Sequence, residues 1–310
     1  MISDLFSTTV LIGILASGIR LATPYLYAAI GETFSQRSGV LNLGVEGQML
    51  LGSFAAFYVT LITGNMWLGL LAAILVGAAM GLAMSFVTVN LHAKQGISGI
   101  GFYLFGLGMS DLLFQKLVGT VETVRGFPRL SIPVLSGIPG VGDIFFNQNF
   151  LVYGAYLLVP VAWFVLNKTT LGLKIRSVGE NPDAADSLGV SVNRIRYFTI
   201  ILGGIFSGIA GASLSIALLN VFQQNMTSGL GFIAVALVYF GGWRPLGVLG
   251  GALLFSMVNS LQLWVQVLGI PIPSELAVMM PYILTIIVLV AVASKIRAPS
   301  ALTKPFEREG

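Results

Sequence analysis

Very few side chains in this sequence of 310 residues are equipped for covalent chemistry. One histidine and no cysteine leave no credible transition-metal cluster and no disulfide or thiolate site. Ser98, in the run Gly96-Ile97-Ser98-Gly99, has the small neighbours of an accessible nucleophile. Its only candidate base, His92, sits in the short loop just before it rather than on a separate packed helix, so no serine-histidine pair is assembled. No G-x-x-x-x-G-K-[ST] occurs, and the chain therefore lacks a phosphate-cradling loop of its own. What remains are charged and amide side chains inside apolar runs, and one short capped helix in a polar loop. Such groups suit solute or ion handling and docking rather than bond breaking.

Charges in apolar spans are costly and normally face a bundle interior or a water-filled cavity. Glu46 falls one helical turn beyond Asn42 on the second apolar run, so a continuous helix points both the same way. Arg20, on the first run, is close enough in depth to be its partner. Two readings follow: an Arg20–Glu46 ion pair that holds spans one and two together, or a place for Asn42 and Glu46 in a pathway or gate. Asp111 and Gln115 repeat the four-residue spacing near the outer end of span four, where snorkelling to the interface accounts for them. Asn220, Gln223, Gln224 and Asn225 follow span six and either receive a hydroxylated solute or cap the helix.

The elements that must position these groups are membrane helices. The chain is 56% hydrophobic and 9% charged, with a mean hydropathy of +0.91 and 38 glycines, far from the composition of a soluble domain. The start, MISDLF with Asp4, has no basic region before the first apolar run, which reads as a retained span. Runs near 8–30, 39–63, 66–90, 97–115, 149–167, 197–219, 246–268 and 277–294, with a shorter one near 228–243, match the roughly 20 residues needed to cross a bilayer. Hydrocarbon leaves unpaired backbone groups no other partner, so the expected fold is an all-α polytopic membrane domain over 1–310 with about nine transmembrane helices, eight to ten being the range.

The net charge of +4 is a matter of topology, not of nucleic-acid binding. With the loop 168–196 cytoplasmic, strict alternation puts Arg37, Lys94, Lys168, Lys174, Arg176, Arg194, Arg196, Arg244, Lys295, Arg297, Lys304 and Arg308 inside, and Lys116, Arg125 and Arg129 outside. The C-terminus is then cytoplasmic and the N-terminus outside, with 31–38, 91–96, 168–196, 241–245 and 295–310 on the cytoplasmic face and 116–148 as an external loop. Gly77/Gly81, Gly204/Gly208 and Gly247/Gly251 have the spacing that lets helices approach closely.

Within the loop 168–196, the run GENPDAADSLGV predicts a helix over 182–188. Asn181 is an N-cap, Pro182 suits the first helical position, Asp183 places negative charge at the positive end of the dipole, and Gly189 supplies a left-handed stop. Two turns are too short to be stable alone, so the helix must dock on something. Its apolar members Ala184, Ala185 and Leu188 form a narrow stripe, with Ala184 and Leu188 four apart. Lys174, Arg176, Arg194 and Arg196 flank it; topology alone accounts for them, the other reading being contact with an acidic partner surface or anionic lipid headgroups.

The pattern G-x-N-x-x-A-A-x-x-x-G-V, carried by Gly179, Asn181, Ala184, Ala185, Gly189 and Val190, resembles the cytoplasmic coupling segment of binding-protein-dependent ABC importer permeases of the ribose, branched-chain amino acid and nucleoside branch. SQRSGVLNLGVEGQMLLGSF at residues 35–54 and ALVYFGGWRPLGVLGGALL at residues 236–254 are similar to two further segments of that branch, in the expected order. The resemblance implies that residues 179–189 couple to a separate ABC ATPase subunit, which holds the ATP and Mg, while this chain needs no cofactor. It also implies a second permease subunit, forming a heterodimer with this one, an extracytoplasmic solute-binding protein, and a place in the bacterial cytoplasmic (inner) membrane. RSGVLNLGVEGQML looks closest to the nucleoside members, with ribose or another simple sugar as the alternative substrate. A proton-coupled secondary transporter, with Glu46 and Asp111 as proton sites, is the competing class, and it has no need of a docked helix.

Overall fold

The computed structural model describes residues 7–133, 135–269, 273–293 and 297–307; the MISDLF run with Asp4, Lys295 and Arg308, used above to place the topology, lie outside them. The membrane bundle comprises α1 Thr8–Arg37, α2 Val45–Thr63, α3 Met66–Ser85, α4 Gln95–Leu117, α6 Phe150–Lys168, α9 Val192–Ser213, α10 Leu230–Phe240, α11 Pro245–Val267 and α12 Ser274–Ala293. Single π-turns extend α3 to Asn90 and α9 to Leu218. Between α4 and α6 lie a two-stranded antiparallel ribbon, β1 Arg129–Ser131 with β2 Asn147–Asn149, and the short helix α5 Val141–Phe145; α7 Thr170–Glu180 and α8 Pro182–Ser187 follow α6.

The chain is an all-α polytopic membrane protein: among the described residues, seven helices are long and apolar enough to cross a bilayer by length and composition. α10 is shorter, and its 11 residues reach about 16 Å, roughly half the hydrocarbon thickness. Every predicted apolar run falls on a helix, but one predicted loop does not exist. Residues 31–38 continue α1 to Arg37, and Glu32, Thr33, Ser35 and Gln36 are buried in it. Part of their polarity is absorbed within the helix, where Thr33 Oγ1 donates to the Ala29 carbonyl and Gln36 Nε2 to Glu32 Oε1, and Ser35 Oγ donates across to the Thr199 carbonyl. The start of α2 moves the other way: it begins at Val45, not near residue 39.

α9 is the central helix, packed against α1, α2 and α3. Two of the glycine pairs seen in the sequence face each other across the α3–α9 seam. A Cβ on Gly204 would lie 2.3 Å from the Gly77 carbonyl oxygen, and one on Gly208 would lie 2.2 Å from that of Ala73. The obstacle is backbone on both sides, so nothing can yield without parting the helices. Gly204→Val is therefore expected to lower the monodisperse fraction in detergent size exclusion severalfold, overpacking of this kind costing about 1–3 kcal/mol or more. Gly96→Ala, with open space around it, should behave as wild type.

Candidate functional site

The polar helix is present where the cap chemistry puts it. Asn181 Oδ1 accepts from the Ala184 N–H at 3.1 Å, Pro182 opens α8, Asp183 lies in its first turn, and Gly189 takes φ +82° beyond its end. Leu188 is the cap residue rather than part of the helix. The apolar stripe also divides: Ala185 is 3% exposed and packs with Val178, Val192 and Phe306, whereas Ala184 is exposed and Leu188 is 84% exposed. Ala185 anchors α8 to its own chain, and Ala184 and Leu188 stay exposed.

Gly179 explains how this element reaches the bundle. A Cβ there would sit 2.1 Å from the Arg37 carbonyl oxygen, so only glycine lets α7 touch the end of α1. The C-terminal segment stitches the contact: Ala301 N donates to the Gly179 carbonyl, Thr303 N to that of Gly39, and the buried Arg196 donates through Nη1 to that of Lys304. From Arg37 the chain of bonds runs on. Arg37 Nε donates to the Trp243 carbonyl at 2.9 Å, Trp243 Nε1 to Gln36 Oε1 at 2.7 Å, and Glu32 Oε1 accepts from Gln36 and from the Asn42 N–H. Trp243, 1% exposed, follows the C-terminus of α10.

The N-terminus of α10 is held by Glu46. Its carboxylate accepts from Thr227 Oγ1 at 2.6 Å, the Gly229 N–H at 2.7 Å and the Gly231 N–H at 2.6 Å. Anionic oxygens on free backbone donors at a helix start are the favourable arrangement for a buried acid. Gly231 is needed for the approach, because a Cβ there would meet the Glu46 backbone at 2.6 Å. The Arg20–Glu46 ion pair is not formed: both carboxylate oxygens are taken up by the α10 start, and Arg20 lines a different cavity with Arg129. Nor do Asn42 and Glu46 share a helix face. Asn42 lies in the connection before α2, where Oδ1 accepts from the Gly44 N–H and Nδ2 donates to Gln48.

Beside the Glu46 clamp is a polar cavity of about 230 Å³. Tyr25 of α1, Thr227 and Ser228 of the irregular segment before α10, Asn259 and Gln262 of α11, and Tyr282 of α12 line it. Tyr25 is set edge-on against Phe255, ring centroids 5.2 Å apart. Of the amide cluster after span six, Gln223, Gln224 and Asn225 are exposed on turns and do not line this cavity, while Asn220 lies in the one with Arg20. Tyr25, Thr227, Asn259 and Gln262 were not singled out from sequence, although Asn259 and Gln262 sit three apart inside an apolar run, a signal that could have found them. Glu32 and Trp243 carried no such signal.

The sequence model for the permease component of branched-chain amino acid transport systems matches residues 14–289. The putative glucose ABC transporter permease protein TsgC13 of Haloferax volcanii is 40% identical, covering 96% of this chain and 98% of that one. The guanosine ABC transporter permease protein NupQ of Bacillus subtilis is 36% identical over 92% of this chain and 93% of its own, and the nucleoside ABC transporter permease protein NupC of Lactococcus lactis 37% identical over 93% and 94%. No solved structure gives a significant match. With a short capped helix packed near the end of α1, a half-length helix tied to α1 and α2, and these matches over nearly its whole length, the chain belongs to the ABC transporter permease family that includes the branched-chain amino acid permease components.

Proposed function

We propose that this permease carries nucleosides inward, and that α8 transmits the closure of a partner ATPase to α10. The observation that carries this reading is the double attachment of α10: its C-terminal end is bonded through Trp243 to Arg37 and Gln36, next to the coupling element, and its N-terminal end through Glu46 to the wall of the cavity. A shift of α8 and Gly179 against Arg37 would reach Thr227 and Ser228 through one rigid half-helix. Coupling of this sort requires an element with two arrangements; α10, bonded at both ends and packed between them through Ala234, Leu237 and Val238, would move as one body.

A cavity of about 230 Å³ is smaller than the roughly 300–1,000 Å³ of a complete small-molecule site, which suits a pathway completed by a second permease subunit. The faces of Tyr25 and Tyr282 suit a base, and the amides of Asn259 and Gln262 its polar edge. The assembly so read contains this chain, a second and different permease, an ATPase that binds ATP and Mg, and an extracytoplasmic binding protein, in the cytoplasmic membrane. Asn42 and Glu46 act there in positioning α10 rather than in touching solute. A glucose permease is the second reading, favoured by the Haloferax relative. The test is ATP hydrolysis by the purified complex in liposomes: binding protein loaded with guanosine or another nucleoside is expected to stimulate it, and stimulation by glucose alone would replace the nucleoside reading with the sugar one.

A further inference from the structure

At the end of the bundle opposite the coupling helix is a second cavity, of about 380 Å³. Arg20, Arg129, Asn149, Asn220, Leu219 and Leu263 are among its lining. Arg20 stands 17 residues before Arg37 on α1, a distance of about 25 Å along the helix, so the cavity lies a bilayer's depth from α8. β1 brings Arg129 to it, in register opposite Asn149. The two positive charges are near enough to act on each other, and among the described residues no carboxylate lines the space.

Two of the neutral groups are already occupied. Asn149 Nδ2 donates to the Ala217 carbonyl and its Oδ1 accepts from the Val152 N–H, while Ser17, on the same wall, bonds to Gly13 and Ser260. Neither guanidinium has a hydrogen bond or ion pair to another described residue. Two like charges turned into one concave space, without a counter-charge among the described residues, call for an anion from outside the chain. Planar guanidinium forks match the oxygens of a phosphate best. Leu219, 55% exposed, and Leu263, 42% exposed, add apolar surface beside the charges.

We propose that this cavity is a phosphate site, occupied by the phosphodiester headgroup of an anionic phospholipid, with Arg20 and Arg129 on the phosphate and Leu219 and Leu263 against the acyl side. The site belongs to the face of the bundle away from the ATPase, and its existence does not depend on which solute is carried. Arg129 is exposed on the ribbon, and its replacement leaves the bundle core untouched.

The full chain in neutral detergent tests this by thermal unfolding followed through tryptophan fluorescence. Added dioleoylphosphatidylglycerol is expected to raise the midpoint saturably by several degrees, and dioleoylphosphatidylcholine is not. Arg20→Gln and Arg129→Gln should each raise the half-saturating phosphatidylglycerol concentration about tenfold or more, the loss of a charge-assisted bond. If Arg20→Gln fails to fold, Arg129→Gln alone decides. Equal effects of the two lipids, or an unchanged half-saturation in both variants, would overturn the site. A saturable shift with inorganic phosphate at constant ionic strength, and none with phosphatidylglycerol, would overturn the lipid as its source and assign the cavity to free phosphate. Loss of binding-protein affinity in the variants without any lipid effect would overturn the phosphate assignment in favour of a protein carboxylate.

Discussion

Glu46→Gln is expected to lose most of its folded yield, and adding Arg20→Gln is expected not to restore it. Glu46 is 1% exposed and accepts three hydrogen bonds, two of them from the backbone donors that open α10. Glutamine keeps the shape but sets an amide NH₂ where a carboxylate oxygen faced a backbone N–H, so a donor meets a donor. A buried donor left without an acceptor costs about 1–3 kcal/mol, and the loss of charge at the helix start adds to it. The clamp on the cavity wall opens at the same time, so nucleoside uptake should fall by tenfold or more even in the protein that does fold. Because Arg20 is not the partner, the double variant should match or fall below the single one. Yield by detergent size exclusion and uptake in cells, for both single variants and the double, give the answer. Recovery of yield in the double variant would restore the ion pair.

Leu188→Asp should do the reverse, leaving the chain intact and abolishing coupling. A side chain 84% exposed packs on nothing in its own chain, and a surface change of this kind alters stability by no more than about 0.5 kcal/mol. If α8 seats on the ATPase as proposed, the new carboxylate would be buried there without a partner, at a cost of several kcal/mol. Association with the ATPase and ATP-driven uptake should fall about 100-fold or more, since each 1.4 kcal/mol is a factor of about ten. Asn181→Ala, which removes one cap bond worth about 1 kcal/mol, should reduce uptake only about fivefold. Ala185→Asp forms the contrast: at 3% exposure it should destabilise α8 on its own bundle before any partner is involved. Normal ATPase association in Leu188→Asp would remove the docking role from this face.

The helices were legible because length and apolarity are one-dimensional properties, and the short helix α8 because its cap, first-turn proline and terminal glycine act within a dozen residues. Helix rotation and long-range pairing are not written locally. The partner of Glu46 arrives 185 residues later as a backbone N–H at Gly231, and no side-chain type announces it. Choosing Arg20 from depth alone could not see which way each span faces. The same blindness hid the bond between Arg37 and Trp243, 206 residues apart. Glu32 and Gln36 looked like loop residues because they are polar, when they bond to one another inside α1. Asn42 was lost to the helix because its own side chain bonds the Gly44 N–H and turns the backbone before α2 begins. Gly77 and Gly204 were visible as packing residues, yet that they face each other required the fold.

Uptake of labelled nucleoside into proteoliposomes is the most direct test of ATP-driven import through this chain. The vesicles hold the chain with its second permease and ATPase, with binding protein added outside. Import is expected with ATP and Mg inside, and none when the ATPase is replaced by a variant that cannot hydrolyse ATP, even with a proton gradient imposed across the membrane. Uptake that follows the gradient and continues with the inactive ATPase would contradict coupling through α8 and make the chain a secondary transporter.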